Sequence, residues 1–268
     1  MEKRIEFEQI TSLDPDWVRE QIDHFMEEDI PDGDATTQAT ITESAPVISN
    51  MLAAEPFVFC GESIIPYCFP EPCLVDVKKK DGEWVQSGNT LAIITGPAGP
   101  ILTYERVTLN LIQRLCGIST ETKKYCDLDL PDHFKVMDTR KTTPGLRKFE
   151  KYAVSMGGGW NHRLDLTSGI LIKDNHLQAA GSVKAAIEQS RDQNSNNLPI
   201  ELEVDTLDQL REGLEMNVDG FLLDNMSPET VKKAVGIIRS VSNGESIFVE
   251  ASGGINYGSL ESSAWTGI

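Results

Sequence analysis

The sequence predicts an α/β protein in two parts: a small N-terminal α+β sandwich domain over residues 1–104, then an irregular β/α barrel over 105–268. Three observations carry that expectation. Before about residue 100, strand-like runs follow one another with turn signals between them. After about residue 130, short apolar runs alternate with helical patterns, as parallel strands joined by crossover helices require. Each of five apolar runs in the second part also leads into a charged or glycine-rich cluster. In β/α barrels that C-terminal rim is where catalytic groups converge.

The elements follow in order. Asp14-Pro15 ahead of Trp17, Ile22, Phe25 and Met26 reads as a capped helix with proline in its first turn, ending before Ile30-Pro31. Strand-like runs lie at 47–53, 57–60, 74–77 and 90–95, the later ones divided by turns at Asp81-Gly82 and Ser87-Gly88. Residues 103–126 carry one long helical pattern, with Val107, Leu111, Ile112, Leu115 and Ile118 on one face, and part of it links the two domains. Barrel strands are expected at 134–137, 169–172, 200–204, 220–223 and 247–249, with helices near 146–156, 182–191, 206–216 and 227–240. The strand-end clusters are Asp138-Thr139-Arg140-Lys141, Lys173-Asp174-Asn175, Glu201 to Asp205, Asp224-Asn225, and Glu250 to Gly254.

Composition narrows the function. No window reaches the ~18 apolar residues of a membrane span, and the charged N-terminus has no apolar stretch behind it, so it is not a signal peptide. The five cysteines include no Cys-x-x-Cys pair. Reduced thiols in a cytoplasmic protein are expected, rather than a disulfide framework or a zinc site. A net charge of −18 argues against a nucleic-acid partner. The charge is uneven, however. Residues 138–176 hold seven Lys/Arg against four Asp/Glu, a local +3, so the other 229 residues carry −21. Such an island suggests an anion site.

The motifs inside the island sharpen this. Asp138-Thr-Arg-Lys-Thr-Thr-Pro-Gly-Leu-Arg147 sets a guanidinium fork beside an ammonium point charge and threonine hydroxyls. Gly157-Gly158-Gly159 would let the backbone approach a ligand, ahead of Asn161-His162-Arg163. Arg147, Lys148 and Lys151 are expected at the surface of the following helix, and His24 and His133 are read as structural. His176 is read either as a site residue or as ordering the Lys173-Asp174-Asn175 loop, and the second is favoured. Alternation puts Glu201 and Glu203 on one face. A separate stretch from Asp81 to Ile94 is similar to the biotinyl/lipoyl carrier barrel. Its equivalent hairpin tip, Gly96-Pro97-Ala98-Gly99, has no lysine to carry a prosthetic group, so only the sandwich shape is retained.

Taken together the chain resembles the quinolinate phosphoribosyltransferase family. The resemblance rests on Gly33-Asp-Ala-Thr36, Glu105-Arg106 with Leu109-Asn110 and Gln113, Asp138 to Gly145, Lys151-Tyr-Ala153, Gly157 to Gly159 and Asn161-His-Arg163. It continues through Leu171 to His176, Glu201 to Asp205, Leu223-Asp-Asn225 and Glu250 to Ile255. It implies a type II phosphoribosyltransferase-like barrel and the reaction of quinolinate with phosphoribosyl pyrophosphate. The products are nicotinate mononucleotide, pyrophosphate and carbon dioxide, on the de novo route to NAD. The resemblance implies catalytic roles for Lys141, Lys173, Glu203 and Asp224. It implies substrate contacts from Arg106, Thr139, Arg140, Lys141, His162, Arg163, Lys173, Glu203, Asp224, Ser252, Gly253 and Gly254. Mg2+ would enter with phosphoribosyl pyrophosphate, near Glu203 and Asp224 through the pyrophosphate. Arg106 would reach a neighbouring subunit's site, which calls for a homodimer or a higher homo-oligomer.

The family pattern continues beyond Ile268 into another strand and a phosphate-binding turn, so the barrel is expected to lack its last strand. A fragment of a longer product, or an impaired enzyme, is the corresponding expectation. The alternatives are a paralogous phosphoribosyltransferase acting on nicotinate or on a metabolite linked to molybdenum transport, and a non-enzymatic descendant. Arg140, His162 and Arg163 favour a dicarboxylate over the first.

Overall fold

Helix α1, Pro15–Asp29, begins where the Asp14 carboxylate accepts a hydrogen bond from the Trp17 amide and proline takes the first turn. Its inner stripe of Val18, Ile22 and Met26 is buried. A short helix α2, Ala35–Thr40, is capped in the same way by Asp34. The computed structural model describes residues 4–41 and 45–268. Strands β1 (Pro46–Leu52), β2 (Phe57–Val58), β3 (Leu74–Val77), β4 (Trp84–Val85) and β5 (Thr90–Pro97) follow. They form a three-stranded antiparallel sheet in the order β1-β5-β3 and a β2-β4 ribbon. Helix α3, Ala98–Cys126, buries Leu111, Ile112 and Leu115, and α4, Arg147–Met156, buries Phe149, Tyr152 and Ala153. Ser119 on α3 donates to the Ala153 carbonyl on α4 at 2.8 Å. These elements, residues Gln9–Cys126 with Val136–Asn161, make one compact unit, the antiparallel unit.

The second unit, the parallel unit, gathers residues 4–8, Asp127–Lys135 and His162–Ile268. Its elements are β6 (Ile170–Ile172), α5 (Asp174–Ala180), α6 (Val183–Gln193), β7 (Ile200–Val204) and α7 (Leu207–Glu215). They continue with β8 (Gly220–Asp224), α8 (Pro228–Arg239), β9 (Phe248–Ser252) and α9 (Tyr257–Ala264). The strands form one parallel sheet in the order β6-β7-β8-β9, the barrel-like β/α arrangement expected from the alternation. On one face Ile172, Leu202, Val204, Phe221 and Leu223 pack with Ile187, Leu210 and Ile238 of the crossover helices. Each such side chain stabilises the fold by about 1.5–3 kcal/mol relative to exposure. Alternation sends Glu201, Glu203, Asp224, Glu250 and Ser252 to the other face. One face is therefore a hydrocarbon core and the other is acidic.

Two features of the sequence reading change. Residues 134–137 do not form a strand: one parallel bridge, Met137 to Trp160, stands in its place. The run is too short and too wet to propagate, because Lys135 is exposed and Phe134, Val136 and Met137 are only half-buried. The packing units also partition the chain differently from a linear cut at 104/105. That cut falls inside α3, which stays whole within the antiparallel unit, while residues 4–8 pack with the parallel one.

Candidate active site

The parallel unit presents its polar groups where its strands end. Lys173 follows β6 and caps α5, its amide donating to His176 Nδ1 at 2.8 Å, so His176 does order this segment. Lys173 Nζ donates to Glu203 Oε2 on β7 at 2.5 Å. Asp224 ends β8 in register with Ser252, which ends β9. The two ends are tied by the Asn225 amide donating to the Ser252 carbonyl at 2.9 Å, and Asn225 Nδ2 donates to Asp224 Oδ2 at 2.6 Å. Gly253 sits at φ 83° against Asn225, where any side chain would collide with that residue's backbone and amide. Gly254, also left-handed at φ 68°, is exposed. The rim thus holds one half-exposed lysine, two carboxylates and a glycine turn. Glu203 and Asp224 are hard oxygen donors on neighbouring strands, a donor set that suits a divalent cation carried in by a polyphosphate.

On the same acidic face, His162 is buried between two carboxylates. Its Nε2 lies 3.4 Å from Glu250 Oε1 and 3.7 Å from Glu201 Oε2, and its ring stacks on Phe7 with centroids 4.2 Å apart. Burial opposes charge on this imidazole, but the Glu201 and Glu250 carboxylates at ion-pair distance outweigh it and lift its pKa to about 9. The ring is therefore an imidazolium at neutral pH. Burial pushes the Glu201 carboxyl upward while His162 and Arg163 pull it back. Glu201 Oε1 is buried with no hydrogen-bond partner among the described residues. Arg163, also buried, donates from Nη1 to the Gly169 carbonyl at 2.9 Å. Donor atoms as close as those of His162, Glu201 and Glu250, all within 4.8 Å, would also gather round a metal ion. The ring proton already supplies the positive charge that two buried carboxylates demand.

The antiparallel unit holds the rest of the basic segment. Lys151, expected at the surface, is instead fully buried and paired with Asp138. The α4 face that carries it turns inward, and Asp138, 13 residues earlier, supplies the countercharge that makes burial tolerable. Asn161 completes the network: Nδ2 donates to Asp138 Oδ2 at 2.8 Å and to the Lys151 carbonyl at 2.9 Å, while Oδ1 accepts from the Ile10 amide. The turn that follows Asp138 is held at its far end by Arg114, which bonds Thr143 at 2.5 Å and Glu150 at 2.6 Å. In between, Thr139 and Lys141 are exposed, and the Lys141 amide donates to Thr139 Oγ1 at 3.0 Å. Arg140 is half-buried, and its Nε has no hydrogen-bond partner among the described residues. Arg147 donates to Thr142, and Lys148 lies over the Trp17 ring at 4.4 Å. Arg106 is exposed on α3.

The glycine run is required by packing. A Cβ at Gly157 would stand 2.7 Å from Thr122, and one at Gly159 equally close to Thr122 and Val154. These glycines let the turn after α4 lie against α3. Glu201 and Glu250 are the site groups that the sequence reading left without a role. Alternation placed Glu201 on the Glu203 face, but nothing in the sequence joins either glutamate to a histidine.

Family models for the quinolinate phosphoribosyl transferase N-terminal and C-terminal domains match residues 34–116 and 118–268. A probable carboxylating nicotinate-nucleotide pyrophosphorylase of Bacillus subtilis is 40% identical over 254 residues, covering 94% of this chain and 86% of its own. The carboxylating nicotinate-nucleotide pyrophosphorylase of Mycobacterium leprae is 38% identical, covering 94% and 90%. Among solved structures, the nicotinate-nucleotide pyrophosphorylase of Francisella tularensis superposes with a TM-score of 0.88 at 32% identity, over 98% of this chain and 92% of that one. The Ehrlichia chaffeensis enzyme gives 0.84 at 36% identity, over 93% and 90%.

Proposed function

The chain belongs to the quinolinate phosphoribosyltransferase family, and from that premise we propose how its own residues carry out the reaction. The enzyme is a pentosyltransferase of NAD biosynthesis. It transfers phosphoribosyl from phosphoribosyl pyrophosphate to quinolinate and releases pyrophosphate and carbon dioxide, leaving nicotinate mononucleotide. The observation that best supports this chemistry is the rim of the parallel sheet, where Lys173, Glu203 and Asp224 stand together at successive strand ends.

The pyridine nitrogen attacks the anomeric carbon of the ribose as the bond to pyrophosphate breaks, so positive charge develops on the sugar. Glu203 and Asp224 favour that charge, and Lys173 and Lys141 favour the departing anion. The quaternised ring then takes up the electron pair left when the carboxylate next to its nitrogen leaves as carbon dioxide, and a proton replaces it. Arg140, His162 and Arg163 hold the two carboxylates of quinolinate. The Arg140 Nε, buried and without a partner among the described residues, is a donor that an incoming carboxylate satisfies. Thr139, Ser252, Gly253 and Gly254 line the path of the phosphoribosyl group. A divalent cation, which we assign as Mg2+, enters as part of the phosphoribosyl pyrophosphate substrate and offsets pyrophosphate charge near Glu203 and Asp224.

Arg106 serves a neighbouring subunit, which makes the working form at least a homodimer. Its exposure on α3 supports that reading, as does the bare apolar face of the antiparallel sheet, where Ile48 and Leu74 both pair with Thr95 and are 70% and 72% exposed. Among the described residues no helix is long and apolar enough to cross a membrane, and none of the five cysteines is bridged. Both suit a cytoplasmic enzyme. Formation of nicotinate mononucleotide from quinolinate, phosphoribosyl pyrophosphate and Mg2+ is the direct test. Turnover with nicotinate but not quinolinate would overturn the substrate assignment.

A further inference from the structure

The buried charges around His162 are more elaborate than substrate contact requires. His162 and Arg163 are cations, and Glu201 from β7 and Glu250 from β9 are the acids that face the ring. Phe7 covers the ring face, itself edge-on to Phe248 at 6.0 Å, so the imidazole is gripped by stacking as well as by charge. A histidine kept only to bond a carboxylate would need one acceptor behind it to fix its tautomer. Here two carboxylates converge on one nitrogen at ion-pair distance, from strands two places apart in the sheet.

We propose that Glu201 and Glu250 are positioning residues, a carboxylate clamp that fixes the orientation and the positive charge of His162 and so sets how tightly the dicarboxylate substrate is held. This rests on the reading that His162 meets quinolinate. The clamp acts through the histidine: both glutamates stand at ion-pair distance from Nε2 and hold the positive charge on the ring that meets the substrate. Because the clamp is anionic, its removal has an outcome opposite to simple electrostatics. Deleting a negative charge near an anion site would ordinarily tighten anion binding, whereas loss of the clamp discharges the ring and weakens it.

Glu250→Gln in the full chain keeps the shape and removes the charge. The quinolinate KM is expected to rise about tenfold at pH 8, the worth of one charge-assisted hydrogen bond, with kcat and the KM for phosphoribosyl pyrophosphate nearly unchanged. The rise should steepen with pH, and its onset should move from about 9 toward the ordinary histidine range. Proton NMR of the ring, assigned with His162→Asn, reads the same titration without turnover. Glu201→Gln provides the second arm, with near-ultraviolet circular dichroism as the check on packing. An unchanged or lower quinolinate KM in a folded Glu250→Gln chain overturns the clamp, and so does a ring titration that the substitution does not move. A ring that titrates near 9 in a wild-type chain that binds no quinolinate sinks the substrate reading instead and leaves the clamp in place.

Discussion

Asn161 and His162 are neighbours in the chain, yet each completes a buried ionic cluster in a different unit. In the antiparallel unit Lys151 pairs with Asp138, and Asn161 donates to the Asp138 carboxylate and to the Lys151 carbonyl. In the parallel unit one histidine meets two carboxylates. Charge balance separates their behaviour. Burial depresses the Lys151 pKa below its ordinary value despite Asp138, whereas the second carboxylate raises that of His162. The first cluster is a matched pair that anchors the start of the basic turn. The second sets two carboxylates against one titratable ring, with Arg163 beside them, and those two carboxylates are what keep the ring charged.

The sharpest way to break this contrast is Lys151→Met. It leaves Asp138 buried and uncompensated, and we expect a loss of about 3–5 kcal/mol in urea unfolding. A loss under 1 kcal/mol would mean that the pair is not the anchor described. Lys173→Ala, at the rim, should instead spare stability, since the lysine is half exposed, and lower kcat by about 10²–10³-fold, roughly 2.7–4 kcal/mol of transition-state stabilisation. Equal falls in stability and kcat would assign Lys173 to structure.

A smaller effect separates the clusters by pH. The folded-state pKa of His162 lies above its ordinary 6.5, so its stabilisation is complete below that value and is lost as pH rises through about 9. Lys151 has the opposite sign: its folded pKa lies below 10.5, so its contribution improves as pH climbs toward that value. Amide hydrogen exchange, corrected for intrinsic rate, should therefore quicken in β7 and β9 between pH 7 and 9 while α4 does not. Quickening in both would dissolve the distinction. The smallest change is expected for Arg19→Ala on α1, whose ion pair with Asp16 is largely solvent-exposed. Calorimetry should find less than about 1 kcal/mol.

The parallel unit was the more legible of the two. β7 is Ile, Leu and Val interrupted only by Glu201 and Glu203 on one face, β8 is Phe-Leu-Leu between Gly220 and Asp224, and the flanking helices carry caps at Ser182, Thr206 and Ser227. Residues 134–137 looked similar but lacked the flanking pairs that make a strand, so one bridge formed. The short helices α2, α5 and α9 escaped notice because they span only six to eight residues and depend on local caps. Lys173, Glu203 and Asp224 were legible because each lies at the end of a recognisable strand. Lys151 was not, because its surroundings depend on Asp138 and Asn161, which reach it only in the folded unit. The glycine run shows the same limit: close approach was legible, but its approach to α3 was not.

The placement of Phe7 has a consequence for how the protein is made. Its two aromatic partners are His162 and Phe248, the latter 241 positions further along the chain. At about 5–20 residues per second, a ribosome takes roughly 10–50 s to deliver that second partner after Phe7 has been joined. His162 is made before Phe248, and the His162 cluster, once synthesised, waits for its last glutamate. The segment around Phe7 is thus fully seated only after residue 248 has been made.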